Sequence, residues 1–269
     1  MSSNFLERIL ATKRNEIAVL KDRVPQITAQ RALPPRGFAT QIQSVKTLAV
    51  VAEVKKASPS KGLIQPNFQP VETGLTYERA GASCISVLTD AQYFMGSTEI
   101  LERVRESVTI PVLRKDFIID EVQVDEAYHA GADALLLICA ALSPSRLREL
   151  STYTKGLGMD VLIEIHSEAE LDAALAADAS VIGVNNRDLT TFEVRLETSE
   201  HLIPLVPTGI PTLAESGIGG AADAMRMAAC GASGILVGES LMRAGTGNSI
   251  TEALQSLQVS RSHVGIGES

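Results

Sequence analysis

The chain has 269 residues, with 24 Lys and Arg against 32 Asp and Glu and a formal net charge of −8; apolar residues make up 45%, aromatics 4%, and Trp is absent. The apolar fraction excludes a disordered chain, and the negative balance excludes a general nucleic-acid binder, so any bound anion must be held by local groups. Cys84, Cys139 and Cys230 lie far apart without metal-ligand spacing, and their odd number argues against a disulfide framework and for a reducing, cytoplasmic setting.

The first stretch, Asn4–Arg23, predicts a helix, with Phe5, Ile9, Ile17 and Leu20 near helical spacing and Pro25 as its stop. Charges scattered through its apolar positions exclude a secretory signal or a membrane span. A short helix is predicted over Gly37–Ser44. The run Leu48–Val54 is then continuously apolar and Val-rich, as in a strand covered on both faces.

From there a pattern recurs about every fifty residues. A Gly-Ala pair precedes an apolar run in Ala80–Leu88, Ala130–Ile138 and Cys230–Gly238, and a degraded copy, Ala176–Val184, has lost the Gly. Each copy follows a helical pattern and precedes a strand, where Gly suits a sharp helix ending. Four further strands are predicted at Leu48–Val54, Ile110–Lys115, Asp160–Ile165 and Ile210–Glu215. Amphipathic helices are predicted at Val71–Arg79, Thr98–Glu106, Glu121–His129, Ser143–Tyr153, Glu168–Ala176, Thr198–Val206, Ala221–Ala229 and Ser249–Leu257. Eight alternating βα units, with no GxGxxG after the first strand, predict an α/β chain folded as a (β/α)8 TIM barrel rather than an open sheet. No linker divides it. One domain is expected over 1–269, with residues 1–46 as an N-terminal helical extension, 47–259 as the barrel and 260–269 as a tail.

In such barrels chemistry sits at the C-terminal strand ends. Those ends carry Glu53 and Lys55, Lys115, Glu164, Asn185 and Arg187, and Glu215. Two-residue alternation puts Glu53 with Lys55, Lys115 with Leu113 and Phe117, Glu164 with Leu162, and Glu215 with Leu213 on shared faces. Lysines and carboxylates in one partly dry mouth shift each other's pKa values and act as acid and base. The loops Ser216-Gly217-Ile218-Gly219-Gly220 and Gly238-Glu239-Ser240 have the place and composition of a phosphate site, to which Ser58-Pro59-Ser60-Lys61-Gly62 adds a hydroxyl and a charge. His129, His166, His201 and His263 show no paired spacing and read mostly as surface or helix-end residues, so no metal is expected. A solvated barrel rim, a sugar-phosphate isomerase, a Schiff-base aldolase and a non-catalytic phosphate-binding barrel remain as other readings of these residues.

The segments AEVKKASPSKG (52–62), LTDAQYFMGS (88–97), LRKDFIID (113–120), IEIHSE (163–168), GVNNRDL (183–189), AESGI (214–218) and LVGESLM (236–242) resemble the indole-3-glycerol phosphate synthase family. The resemblance spans nearly the whole chain, including Arg36 and Phe38 ahead of the first strand; Asp90 departs from it, since the family more often has Glu there. It implies a lyase of tryptophan biosynthesis, a decarboxylase that converts 1-(2-carboxyphenylamino)-1-deoxyribulose 5-phosphate to indole-3-glycerol phosphate. No cofactor is implied, because no redox step occurs. By the same resemblance, and by its place at the end of the third strand, Lys115 is the choice of acid for ring closure; Glu164 and Lys55 are the candidates for dehydration, with Glu53 holding the lysines charged and oriented, and the sequence leaves open which lysine protonates which oxygen. Asn185, Arg187, Glu215 and Ser216 would position the substrate. Phosphate would meet Ser58, Gly217, Gly238 and the backbone of Glu239, and the aromatic ring would meet Phe94, Phe117, Leu136 and Leu189. The N-terminal helix is expected to cover part of the mouth rather than to brace the barrel from beneath. The expected partner is a small phosphorylated substrate, without nucleic acid or membrane, and the enzyme is expected to be a monomer or weak homo-oligomer.

Overall fold

The computed structural model describes residues 5–23, 31, 33–59, 61–245 and 248–261; Ser60, His263 and the predicted tail beyond residue 261 lie outside them. Eight parallel strands close into a barrel in chain order: β1 (Ala49–Val54), β2 (Cys84–Leu88), β3 (Val112–Lys115), β4 (Ala134–Ile138), β5 (Asp160–Ile165), β6 (Val181–Asn185), β7 (Thr212–Glu215) and β8 (Gly234–Val237). Val51 on β1 pairs with Leu236 on one side and Cys84 on the other. All three belong to the packed barrel interior, with Leu113, Leu136, Leu162, Val181 and Leu213. The alternate residues, such as Val50, Ile85, Val161 and Ile182, pack outward under the helices.

The repeat has a structural cause. Gly81, Gly131 and Gly231 take left-handed φ values of 93°, 86° and 90°, which end one helix and turn the chain into the next strand. In the degraded copy Asp178 fills that position at φ 56°, a conformation that Asp tolerates better than most residues. Two residues on, each copy carries Ser83, Asp133, Ser180 or Ser233. Each side chain accepts a backbone N–H at the start of the preceding strand, its first or second residue, from Val50, Val112, Val161 and Thr212 respectively. The four double units are thus stapled alike at the N-terminal end of the barrel.

The predicted helices lie where the pattern placed them, with one change of type. The segment predicted as the helix Thr198–Val206 is α-helical over Glu197–Leu202 and then tightens to a 3-10 turn at Ile203–Leu205. Pro204 lacks the N–H that an α-turn would use. Among the described residues four short elements are not predicted: helices Ala91–Phe94 and Glu239–Arg243, a 3-10 turn at Cys139–Ala141, and a hairpin pairing Ala57–Ser58 with Gly62–Leu63. No helix among the described residues is long and apolar enough to cross a membrane.

The N-terminal segment serves both ends of the barrel. Helix α2 (Phe38–Ser44) closes the bottom: Phe38 and Ile42 are fully buried against the interior layer, and Asp160 at the start of β5 accepts the Ala39 N–H at 2.9 Å. Helix α1 (Phe5–Arg23) crosses the opposite mouth. Its Lys13 is buried there, 2.7 Å from Asp90 and 2.8 Å from Asp116, beyond the ends of β2 and β3.

Candidate functional site

A cavity of about 700 Å³ opens at the C-terminal mouth. Its floor carries Glu53, Lys55, Lys115, Glu164 and Asn185; Leu136, Leu189, Phe94 and Phe117 form an apolar wall. Ser58, Arg187, Ser216, Gly217, Gly238 and Glu239 stand round the rim. The sequence-predicted residues therefore converge on one space, with one difference of place. Glu215 does not line the cavity but lies fully buried behind it, where it accepts from Lys115.

The charges form a connected network. Lys115 Nζ donates to Glu215 Oε2 at 2.8 Å and lies 3.5 Å from Glu53 Oε2, while Lys55 Nζ lies 2.6 Å from Glu53 Oε1. Glu53 is thus shared by both lysines. Burial alone would raise its pKa, but Lys55 and Lys115 hold it below the usual carboxylate range. Lys115 is pushed the other way: burial opposes its charge, but Glu215, Glu53 and Glu164 outweigh that and keep it protonated. Glu215 rises to about 7, through burial and its like-charged neighbours Glu164 and Glu53, against the pull of Lys115. Glu164 falls below the ordinary range despite burial, because His166, Lys115 and Asn185 face it.

Local backbone makes room for these groups. A Cβ on Gly238 would lie 2.3 Å from Glu53 Oε1, so the neighbouring strand end must be bare for that carboxylate to fit. Ser216 has a left-handed φ of 64°, costly for a non-glycine residue. Asn186 holds it there by donating to the Ser216 carbonyl at 3.0 Å, while its own Oδ1 accepts the Ser199 N–H. Asn185 Oδ1 accepts the Arg187 N–H at 3.0 Å, which fixes the turn that carries Arg187 to the rim.

The rings of Phe94 and Phe117 stand 6.4 Å apart, tilted by 37°. Helix α1 completes the wall with Phe5, Leu6 and Ile9. The Phe5 ring meets Phe192 edge-on at 5.2 Å and Tyr93 at 5.6 Å, so α1 touches two different rim loops. Four of the chain's six phenylalanines line this cavity. At the glycine-rich corner the Gly219 N–H is occupied by Asp223 Oδ2 at 2.8 Å. Two cations stand nearby: Lys61 is 3.8 Å and Arg243 3.1 Å from Glu239.

Sequence reasoning missed Phe192, Arg243 and His166. Phe192 lies in an irregular loop with no periodicity, and Arg243 reads as an ordinary charge at the end of a short helix. His166, read as a surface or helix-end residue, is instead partly buried, 3.2 Å from Glu164 Oε1 and 3.6 Å from Glu170 Oε2. Among the described residues no group of three or more His, Cys, Asp or Glu side chains is arranged to hold a metal ion. Burial pushes the Cys139 thiol up to about 12 and the Cys84 and Cys230 thiols above their usual value, which leaves all three poor nucleophiles.

Solved barrels share this fold at low identity. One is the N-acetylmannosamine-6-phosphate 2-epimerase from Clostridium perfringens (TM-score 0.60, 12% identity, covering 79% of this chain and 93% of that one). Another is the native KDPGal structure (TM-score 0.58, 16% identity, 80% and 95% covered). Sequence relatives are far more similar. An indole-3-glycerol phosphate synthase of Desulfotalea psychrophila is 47% identical over 256 residues, covering 94% of this chain and 98% of that relative. One of Bordetella pertussis is 46% identical over 249 residues, covering 90% and 95%. The model of the indole-3-glycerol phosphate synthase family matches residues 6–254, a span that takes in both the acid–base floor and the helix above it, and the chain belongs to that family.

Proposed function

We propose that this mouth converts 1-(2-carboxyphenylamino)-1-deoxyribulose 5-phosphate to indole-3-glycerol phosphate, carbon dioxide and water. The observation that carries the reading is the floor itself: two lysines, each held by a buried carboxylate, face one cavity whose other wall is aromatic. Lys115, kept charged by Glu215 and Glu53, donates a proton to the ketone oxygen as the carboxylate-bearing ring carbon attacks the ketone carbon. An alkoxide would otherwise develop there. The C–C bond to the carboxylate breaks, carbon dioxide leaves, and its electron pair restores the aromatic ring. Lys55 then protonates the departing hydroxyl, and Glu164, ionised at neutral pH, takes a proton from the adjacent methylene. Two protons are given and one is taken, which matches the single proton the overall reaction consumes. No redox partner enters.

Asn185, Arg187 and Ser216 position the sugar hydroxyls; Phe94, Phe117, Leu136 and Leu189 hold the anthranilate ring. The phosphate rests at Ser58, Gly217, Gly238 and the backbone of Glu239. Helix α1 roofs the cavity, which excludes water and folds the substrate so that ring carbon and ketone meet. The enzyme works as a monomer or weak homo-oligomer in the cytoplasm and binds no nucleic acid. A Schiff-base aldolase fits less well, because its nucleophilic lysine must be a neutral amine whereas Lys115 is held as a cation. Addition of the carboxyphenylamino substrate should produce indole fluorescence, read against a protein without Trp. Absence of that signal, or covalent trapping of substrate by borohydride, would overturn the assignment.

A further inference from the structure

His166 follows β5 and is only 16% exposed at its side chain. Its two ring nitrogens face two different carboxylates. Nε2 lies 3.2 Å from Glu164 Oε1, and Nδ1 lies 3.6 Å from Glu170 Oε2. Glu170 also accepts the backbone N–H of His166 at 2.6 Å, so the helix Glu168–Ala176 grips this residue by main chain and ring together. A neutral imidazole has one donor and one acceptor nitrogen, and only the doubly protonated ring suits a carboxylate on each side.

Glu164 needs such a neighbour. It is buried, and an isolated buried carboxylate tends to take up a proton. Lys115 on β3 faces it, but that ammonium is committed to Glu215 and Glu53. Glu215 on β7 adds a like charge, Asn185 on β6 is neutral, and the Cys139 thiol after β4 stays protonated. His166 itself feels Glu164, Glu170 and, from the loop after β6, Asp188. We propose that His166 is a positioning residue for the reaction, an imidazolium clamped between Glu164 and Glu170 that keeps Glu164 ionised and ready to accept a proton. The carboxylates outweigh the burial that would lower its pKa and lift it to about 10, so the ring stays charged through neutral pH. The inference rests on the reading of Glu164 as the base.

The pH profile of kcat separates this role from a merely structural one. In His166→Asn the acid limb should move up by about one unit or more, and at pH values below both midpoints kcat should fall about tenfold per unit of that shift. The loss should shrink as the pH rises past the shifted midpoint, where Glu164 ionises unaided. His166→Lys, which restores a cation, should bring the acid limb back toward its parent position. A uniform loss at every pH with an unmoved midpoint overturns the proposal. Glu164→Gln is measured beside it. If that variant keeps parent-like turnover, the base reading fails and the His166 role falls with it; if it is slow while the His166→Asn profile is unmoved, only the His166 role fails. An NMR titration of the His166 ring in the unaltered protein tests the same point without a variant: an imidazolium at pH 8 supports the proposal, and a neutral ring at pH 7 overturns it.

Discussion

A Cβ placed on Gly183 would lie 2.2 Å from Oε1 of Glu215 and 3.1 Å from Leu162. Strand β6 therefore gives up a side chain so that a carboxyl from β7 can turn inward and reach Lys115. Gly183→Ala must displace that carboxyl. Overpacking of this kind costs about 1–3 kcal/mol, while misplacing a catalytic contact by about 1 Å can cost 10²-fold in rate. The expected result is a folded variant whose kcat/KM drops by roughly that factor and whose urea midpoint falls only by what about 1–3 kcal/mol implies. A parent-like kcat/KM would mean that the Lys115–Glu215 contact is not needed for turnover.

Lys115→Met should lose nearly all turnover yet still bind product, and Glu164→Gln should slow by about 10²–10⁴-fold, the usual weight of a general acid or base. The lysine variant also carries a stability signature. Glu215 already has its pKa raised from 4.5 to about 7, so the folded state holds its proton more tightly than the unfolded one. Stability from this group therefore falls as pH rises from 4.5 through 7. Removing Lys115 takes away the cation that pulls it down and lifts that pKa further. The stability of Lys115→Met relative to the parent should be highest near pH 5 and fall progressively toward pH 9. Parallel curves across that range would contradict the network.

Lys13 is the buried pin between α1 and the barrel. It stands between Asp90, which caps the short helix bearing Phe94, and Asp116, which sits between Lys115 and Phe117 in the chain. Asp116 is itself held by Thr89 at 2.6 Å and Arg114 at 3.3 Å. Lys13→Met would take the ion-pair partner from the buried Asp90 and leave Asp116 to Arg114 and Thr89, and breaking a buried pair costs about 3–5 kcal/mol. It should also raise KM more than it lowers kcat, because the roof of Phe5, Leu6 and Ile9 loosens. The double variant Lys13→Met/Asp90→Asn should recover part of the stability. If calorimetry finds no loss in the single variant, Lys13 is not the pin.

The contrast between Lys115 and Lys13 marks how far the sequence could be read. The Gly-Ala repeat and the Val-rich runs carry the barrel, because each unit solves the same turn with Gly81, Gly131 and Gly231. Strand ends then expose Glu53, Lys115 and Glu164 to simple two-residue alternation. Lys13 has no such mark: in a helix rich in Lys and Arg it looks like any solvated charge, and only the approach of Asp90 and Asp116, distant in sequence, buries it. Phe192 is illegible for the same reason, since its partner Phe5 comes from α1, whereas the carboxylates that flank His166 are close in sequence, at Glu164 and Glu170. Two-residue strands leave no periodicity to detect, so the sequence reads as a loop where Ala57–Ser58 pairs with Gly62–Leu63.

Arg243 gives the phosphate corner its test. It is exposed and pairs with Glu239 at 3.1 Å one helical turn away, an arrangement that adds little to folding. Lys61 meets the same carboxylate from the hairpin at 3.8 Å. A phosphate seated at Gly217 and Gly238 competes with Glu239 for both cations. A hydrogen bond to a charged group contributes about 1.5–3 kcal/mol, so Arg243→Ala should raise the substrate KM roughly tenfold or more. Because the residue is remote from the acid–base floor, kcat should stay within about twofold, and the exposed pair predicts a change in unfolding free energy within about 0.5 kcal/mol. Inhibition by inorganic phosphate should weaken in parallel with KM. A KM that does not move, or phosphate inhibition that persists unchanged, would place the phosphate away from this corner.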